Sequence, residues 1–103
     1  METTPKFYQK MEKNFPKMME AVSQLGKVTR EAGPLQEKQA QLVQLAAAAA
    51  LKSEGSVHSH TRRAMDAGAS PSEIRHALVL LISTIGYPNV AAAISWAEDV
   101  LEE

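Results

Sequence analysis

The residues from Ser53 to Arg63 read Ser-Glu-Gly-Ser-Val-His-Ser-His-Thr-Arg-Arg. No other stretch of the chain is so dense in groups that can donate, accept or move a proton. His60 is the first candidate, because an unperturbed imidazole titrates nearest neutrality and suits proton transfer. Ser56 lies four residues earlier, on the same face of a helix. The plainer role for His60 is a buried histidine that ties two helices together through its ring nitrogens. His58 stands two residues from His60, which on a helix turns it roughly 200° away. A regular helix cannot easily offer both rings to one metal ion; that would need irregular backbone, or His76 as a third ligand, and no metal site is expected. Glu54 could be an acid or base beside a histidine. It is also a favourable charge at a helix N-terminus and an i,i+4 partner for His58.

Ser53 and Ser56 read as helix caps or as hydroxyls that contact a substrate. A Ser56–His60–Glu54 triad can be written, but nothing supplies the tight nucleophile turn of a hydrolase. Arg62 and Arg63 could hold the carboxylate of a small acid in a guanidinium fork, or form salt bridges at a subunit interface. Trp96 could line a pocket or plug an interface, with core packing as its plainer role. The candidate catalytic set is therefore His60, Glu54, Ser56 and His58, with Ser53, Arg63 and Trp96 as candidate substrate contacts.

Several classes of function are removed by composition. The chain has 103 residues, which sets one domain over 1–103 as the expectation. A formal net charge of −1 gives no electrostatic reason to bind nucleic acid or an anionic membrane. Cysteine is absent, so disulfides, thiolate metal ligands and thiol redox chemistry are absent with it. The run Leu45 to Leu51 is the most apolar of the N-terminal half and is far short of the ~20 residues of a membrane span. Met1 to Lys10 lacks the apolar centre of a signal peptide, and a cytoplasmic location is expected.

Six helices must position these residues. Thr3 or Thr4 caps the first, with Pro5 in its first turn. Pro16 opens the second, whose apolar residues Met18, Met19, Val22, Leu25 and Val28 have helical spacing, and Gly33-Pro34 closes it. These form an N-terminal part, 1–33. The remainder, 35–103, begins with a helix from about Leu35 to Lys52 that buries Leu42, Leu45, Ala46, Ala49 and Ala50. A turn at Ser53–Ser56 leads to a short helix from Val57 to Ala67, stopped by Gly68. Ser70-Pro71-Ser72-Glu73 has the form of a capping box with proline at the first helical position. The helix it opens runs through Ile74, Ala77, Leu78, Leu81, Ile82 and Ile85. Val79 and Leu80 fill its other face, so all-round burial is expected. Gly86 ends it, and the last helix carries Val90, Ala93, Ile94, Ala97, Val100 and Leu101 on one face. The fold class is all-α, a compact bundle of about five or six helices. A helix apolar all round is hard to cover within 103 residues, which points to a homo-oligomer.

The order and spacing of these elements resemble the carboxymuconolactone decarboxylase and alkylhydroperoxidase D-like family. The resemblance runs from about Leu42 to Leu101. It rests on Gln41-Leu42-Val43, Ala46 to Leu51, Ser53 to His60, Arg63-Ala64, Asp66 to Ile74 and Ile85-Gly86-Tyr87-Pro88. The peroxidase branch carries a glutamate, a Cys-x-x-Cys twelve residues on, and a histidine four residues after the second cysteine. On this chain those positions hold Gln41, Ser53, Ser56 and His60, so only the histidine remains. Serine keeps the shape of cysteine but has no accessible anion and no redox couple, and the resemblance implies that thiol peroxidase activity is lost. The decarboxylase branch also has a histidine at the position of His60, and works by acid–base chemistry on a small carboxylated lactone without a metal or organic cofactor. The resemblance further implies a trimer or hexamer. The expected activity is thus cofactor-free acid–base chemistry on, or binding of, a small carboxylated or carbonyl compound. The alternative is a non-catalytic oligomer that kept the fold.

Overall fold

In a computed structural model the described residues are 5–103; the proposed Thr3 or Thr4 cap lies outside them. Among the described residues the secondary structure is α-helical, without a strand. The chain divides into two compact units, one ending at Leu35 and one spanning Gln36–Glu103.

The first unit holds α1 (Lys6–Asn14) and α2 (Pro16–Glu31). Pro5 precedes α1 as its cap residue, and Pro16 occupies the first position of α2, where its missing N–H costs nothing. Neither helix has a buried residue. The expected apolar stripe of α2 is largely uncovered: Met18, Val22, Leu25 and Val28 are exposed and Met19 is half-buried.

The second unit contains α3 (Glu37–Ala50), α4 (Glu54–Asp66), α5 (Pro71–Val79), α6 (Ile82–Ile85) and α7 (Tyr87–Leu101). Its core joins Leu45, Ala48 and Ala49 of α3 with Val57 and Ala64 of α4, Ile74 and Leu78 of α5, and Ala93 and Ala97 of α7. Alanine dominates this set, so neighbouring backbones approach closely and side-chain entropy lost on burial is small. α4 packs between α3 and α7, and α5 packs on α7. In α3 the buried residues are Gln41, Leu45, Ala48 and Ala49; Leu42 and Ala46 are half-buried, and Ala50, expected inside, is exposed. The inward face is rotated from the expected one, and a glutamine, not an alanine, completes it.

The ends of α3 and α4 are set by backbone geometry. After α3, the Ser53 N–H donates to the Ala48 carbonyl (3.1 Å) and the Lys52 N–H to that of Ala49 (3.0 Å). This is a Schellman closure, which requires a left-handed residue, and Lys52 fills that place at φ 57°. The same closure ends α4, where Ala69 N–H bonds the Ala64 carbonyl (2.9 Å) and Gly68 adopts φ 101° without a Cβ penalty. The turn between α3 and α4 is thus shorter than expected. Glu54, Gly55 and Ser56 already belong to α4, so Ser56 lies inside the helix rather than at its cap.

The capping box at Ser70 forms as its sequence predicts: Glu73 N–H donates to Ser70 Oγ (3.1 Å) and Ser70 N–H to Glu73 Oε1 (2.9 Å). The single helix expected from Ile74 to Ile85 is divided. Hydrogen bonds from Leu81 N–H to the Leu78 carbonyl and from Thr84 N–H to the Leu81 carbonyl tighten the chain into three-residue turns, separating α5 from α6. Of this segment only Ile74 and Leu78 are buried; Val79, Leu80 and Ile82 are exposed, so the expected all-round burial does not occur within the chain. On α7, Val90, Ala93, Ala97 and Val100 form the buried stripe, with Ile94 and Leu101 half-buried beside it.

Candidate functional site

His60 lies in the middle of α4, half-buried, on the side that packs against α3. Its Nδ1 is 2.8 Å from Oε1 of Gln41. Gln41 is 1% exposed, a burial that an amide tolerates only when its polar ends are bonded. The other end is bonded as well: Gln41 Nε2 donates to Glu37 Oε1 over 2.8 Å, one turn earlier on α3. A continuous polar line therefore runs from the exposed Glu37 through the buried Gln41 to His60. Thr61, the next residue, is fully buried, and its Oγ1 has no hydrogen-bond partner; Gln44 Oε1 shares this condition.

His58 turns the other way. Its Nε2 lies 3.0 Å from Asp99 Oδ2 on α7 and 4.0 Å from Glu54 Oε2. The ligand-capable atoms of Glu54, His58 and Asp99 all fall within 4.8 Å of one another, and these three are the residues that could hold a metal ion among those described. His76, the proposed third ligand, is exposed in the last turn of α5 and is not among them. Both carboxylates are more than half exposed, and the contacts amount to an electrostatic tie between α4 and α7.

The four candidate catalytic residues are thus gathered as two pairs. Glu54 and His58 share one face of α4 and meet α7. Ser56 and His60 share another, by their four-residue spacing, and His60 meets α3. Glu54 engages His58, so the arrangement is not that of a Ser56–His60–Glu54 triad. Ser53 is the cap residue of α4 and half-buried, but its side chain makes no capping hydrogen bond. Arg62 is paired with Glu103 within the chain (3.2 Å), while Arg63 is half-buried near the end of α4. Trp96 is half-buried and packs against the core of the second unit.

Sequence reasoning noted Gln41 only for its position and passed over Glu37 and Asp99. Glu37 carries a signal, since it precedes Gln41 by four residues. Asp99 carries none until α7 is known to pack on α4. Away from the site, the carboxylates of Glu73 and Glu98 are perturbed. Glu73 is held below the usual carboxylate range, first by the Ser70 backbone N–H and then by Lys38. Glu98 is lowered by the hydrogen bond from the Arg75 guanidinium, whose Nη2 lies 3.1 Å away.

An all-helical unit with a histidine held from a neighbouring helix, and serines at 53 and 56, defines a protein class that can be compared with known ones. The sequence pattern of the carboxymuconolactone decarboxylase family matches residues 16–99. An uncharacterised protein of Methanocaldococcus jannaschii is 34% identical over 92 residues, covering 89% of this chain and 83% of its own. The apo crystal structure of a carboxymuconolactone decarboxylase family protein from Legionella pneumophila superposes with a TM-score of 0.78 at 24% identity, covering 91% of this chain and 84% of that one. At that identity the likeness concerns the fold. The chain belongs to the carboxymuconolactone decarboxylase family, as a member without cysteine.

Proposed function

We propose that this protein carries out cofactor-free acid–base chemistry on a small carboxylated or carbonyl compound, with His60 as the proton carrier. The observation that supports this is the 2.8 Å contact between His60 and the buried Gln41, which fixes an imidazole on a helix face shared with Ser56. A positioned imidazole is what general acid–base catalysis requires. Ser56 would bind a substrate oxygen, and Arg63 is the guanidinium of this stretch left to meet a carboxylate once Arg62 is paired with Glu103. Serine at 53 and 56 speaks against the thiol peroxidase chemistry of cysteine-bearing relatives.

The protein acts as a homo-oligomer in the cytoplasm in this reading, a trimer or hexamer by family resemblance. Exposed Val79, Leu80 and Ile82 support association. Among the described residues no helix is long and apolar enough to cross a membrane. The second reading, a non-catalytic oligomer that kept the fold, rests on the same exposed residues. A panel of small lactones and keto acids, followed for turnover and for thermal shift, decides between the two. Turnover abolished by His60→Ala supports catalysis. Binding without turnover by any compound on the panel supports the alternative.

A further inference from the structure

A primary amide has two nearly identical ends, so a glutamine beside a histidine can either accept from the ring or donate to it. The choice decides which ring nitrogen carries the proton. Here the far end of the amide is committed. An ionised carboxylate only accepts, so the group that Gln41 presents to Glu37 at 2.8 Å must be its NH2. Its carbonyl then faces His60 at 2.8 Å and can only accept, which requires the proton on Nδ1. At 1% exposure Gln41 has no bulk water with which to compensate a flipped amide.

We infer that Glu37 is a positioning residue for His60, acting through Gln41: its carboxylate orients the amide, and the amide holds the neutral imidazole with its proton on Nδ1 and its lone pair on Nε2. This rests on the reading of His60 as the proton carrier and makes Nε2 the atom that takes and returns the proton. It also makes the carrier one-ended. A carboxylate in the place of Gln41 could receive the Nδ1 proton, whereas an amide cannot, so no proton passes from His60 toward Glu37. The assignment differs from a purely structural hydrogen bond in one respect: a residue on the protein surface, acting through the buried Gln41, controls the ring's tautomer.

The test is nitrogen-15 NMR of the imidazole in the full chain, at a pH where the ring is neutral, with the His60 signals identified by their loss in His60→Asn. The parent protein should show the Nδ1–H form of His60. Glu37→Gln removes the fixed acceptor, so Gln41 can turn and an Nε2–H population should appear. Gln41→Glu retains an acceptor at Nδ1 and should retain the Nδ1–H form. An Nε2–H ring in the parent protein, or a tautomer unchanged by Glu37→Gln, would overturn the inference. Glu37 is exposed, so its variant should keep the parent fold, which circular dichroism checks. The tautomer is read without substrate, and the two readings therefore fail separately. A locked tautomer with no turnover on any compound removes the proton-carrier reading alone. Turnover that requires His60, with a tautomer indifferent to Glu37, removes the lock alone.

Discussion

Thr61→Val should stabilise the protein. Thr61 is fully buried in α4 beside His60, and its Oγ1 has no hydrogen-bond partner. A hydroxyl taken out of water without compensation costs about 1–3 kcal/mol by protein mutational data. Valine has nearly the same shape, the same branching at Cβ and a similar helix propensity, so backbone and rotamer effects largely cancel. The methyl group that replaces the hydroxyl is worth at most about 0.8 kcal/mol as buried apolar surface. Together these terms reach at most about 4 kcal/mol, and imperfect fit of the methyl in a site shaped for a hydroxyl brings the expected gain to roughly 1–2 kcal/mol. At about 4–8 °C per kcal/mol for a domain of 60–100 residues, this is a clear rise in Tm. Urea and thermal unfolding should be compared at equal protomer concentration, because association would shift both. A loss of about 1 kcal/mol or more would mean that the hydroxyl is bonded in the folded protein, and the reasoning would be wrong. Stabilisation accompanied by loss of ligand binding would show that an uncompensated hydroxyl is kept for the site.

Other outcomes follow from the same geometry. Lys52→Gly removes a Cβ from a left-handed residue, which costs about 1–2 kcal/mol, against a glycine entropy penalty of about 0.5–1 kcal/mol; a net gain of about 0.5–1 kcal/mol should appear in urea midpoints. Glu73 and Glu98 have folded-state pKa values below their ordinary 4.5. Their contribution is therefore complete above that pH and is lost as pH falls through the lowered folded values. Glu73→Gln should lower stability at neutral pH and flatten the acid side of the profile, so that the variant and parent curves converge in acid, as denaturant unfolding at a series of pH values followed by circular dichroism would show. Leu80→Glu places a charge on the exposed apolar turn between α5 and α6 and, on the proposed association, should shift sedimentation toward the monomer. An unchanged sedimentation coefficient would remove this face from the proposed association.

The elements that rest on local chemistry are legible in the sequence. Pro16, Ser70-Pro71-Ser72-Glu73 and the spacing from Val90 to Val100 act within one or two turns, and each appears where its pattern puts it. What cannot be read this way depends on which helix meets which. The break at Leu80 and Leu81 has no proline or glycine to mark it; it arises where only Ile74 and Leu78 find a core to enter. The end of α3 escapes sequence reasoning because lysine, not glycine, takes the left-handed position. An asparagine or glycine at 52 would have revealed the short turn and put Ser56 inside α4.

The site shows the same division with a chemical consequence. Nearness in sequence groups four residues of one helix, yet a helix sends residues two apart to opposite sides. The neighbours of those sides then decide what each residue can do. α7 supplies Asp99 to His58, and that pair becomes a tie between two helices. α3 supplies Gln41 to His60, and that pair becomes a ring with a defined proton. By the resemblance to the peroxidase branch, the double substitution Ser53→Cys with Ser56→Cys would supply the thiols but not the glutamate, because the residue that meets His60 is an amide and cannot exchange a proton. Adding Gln41→Glu to that pair supplies both the thiols and an exchangeable acceptor. The triple variant should reduce peroxide in a thiol-coupled assay, where the double variant that retains Gln41 does not. Equal activity in the two would mean that the contact at Nδ1 is irrelevant to proton movement through His60.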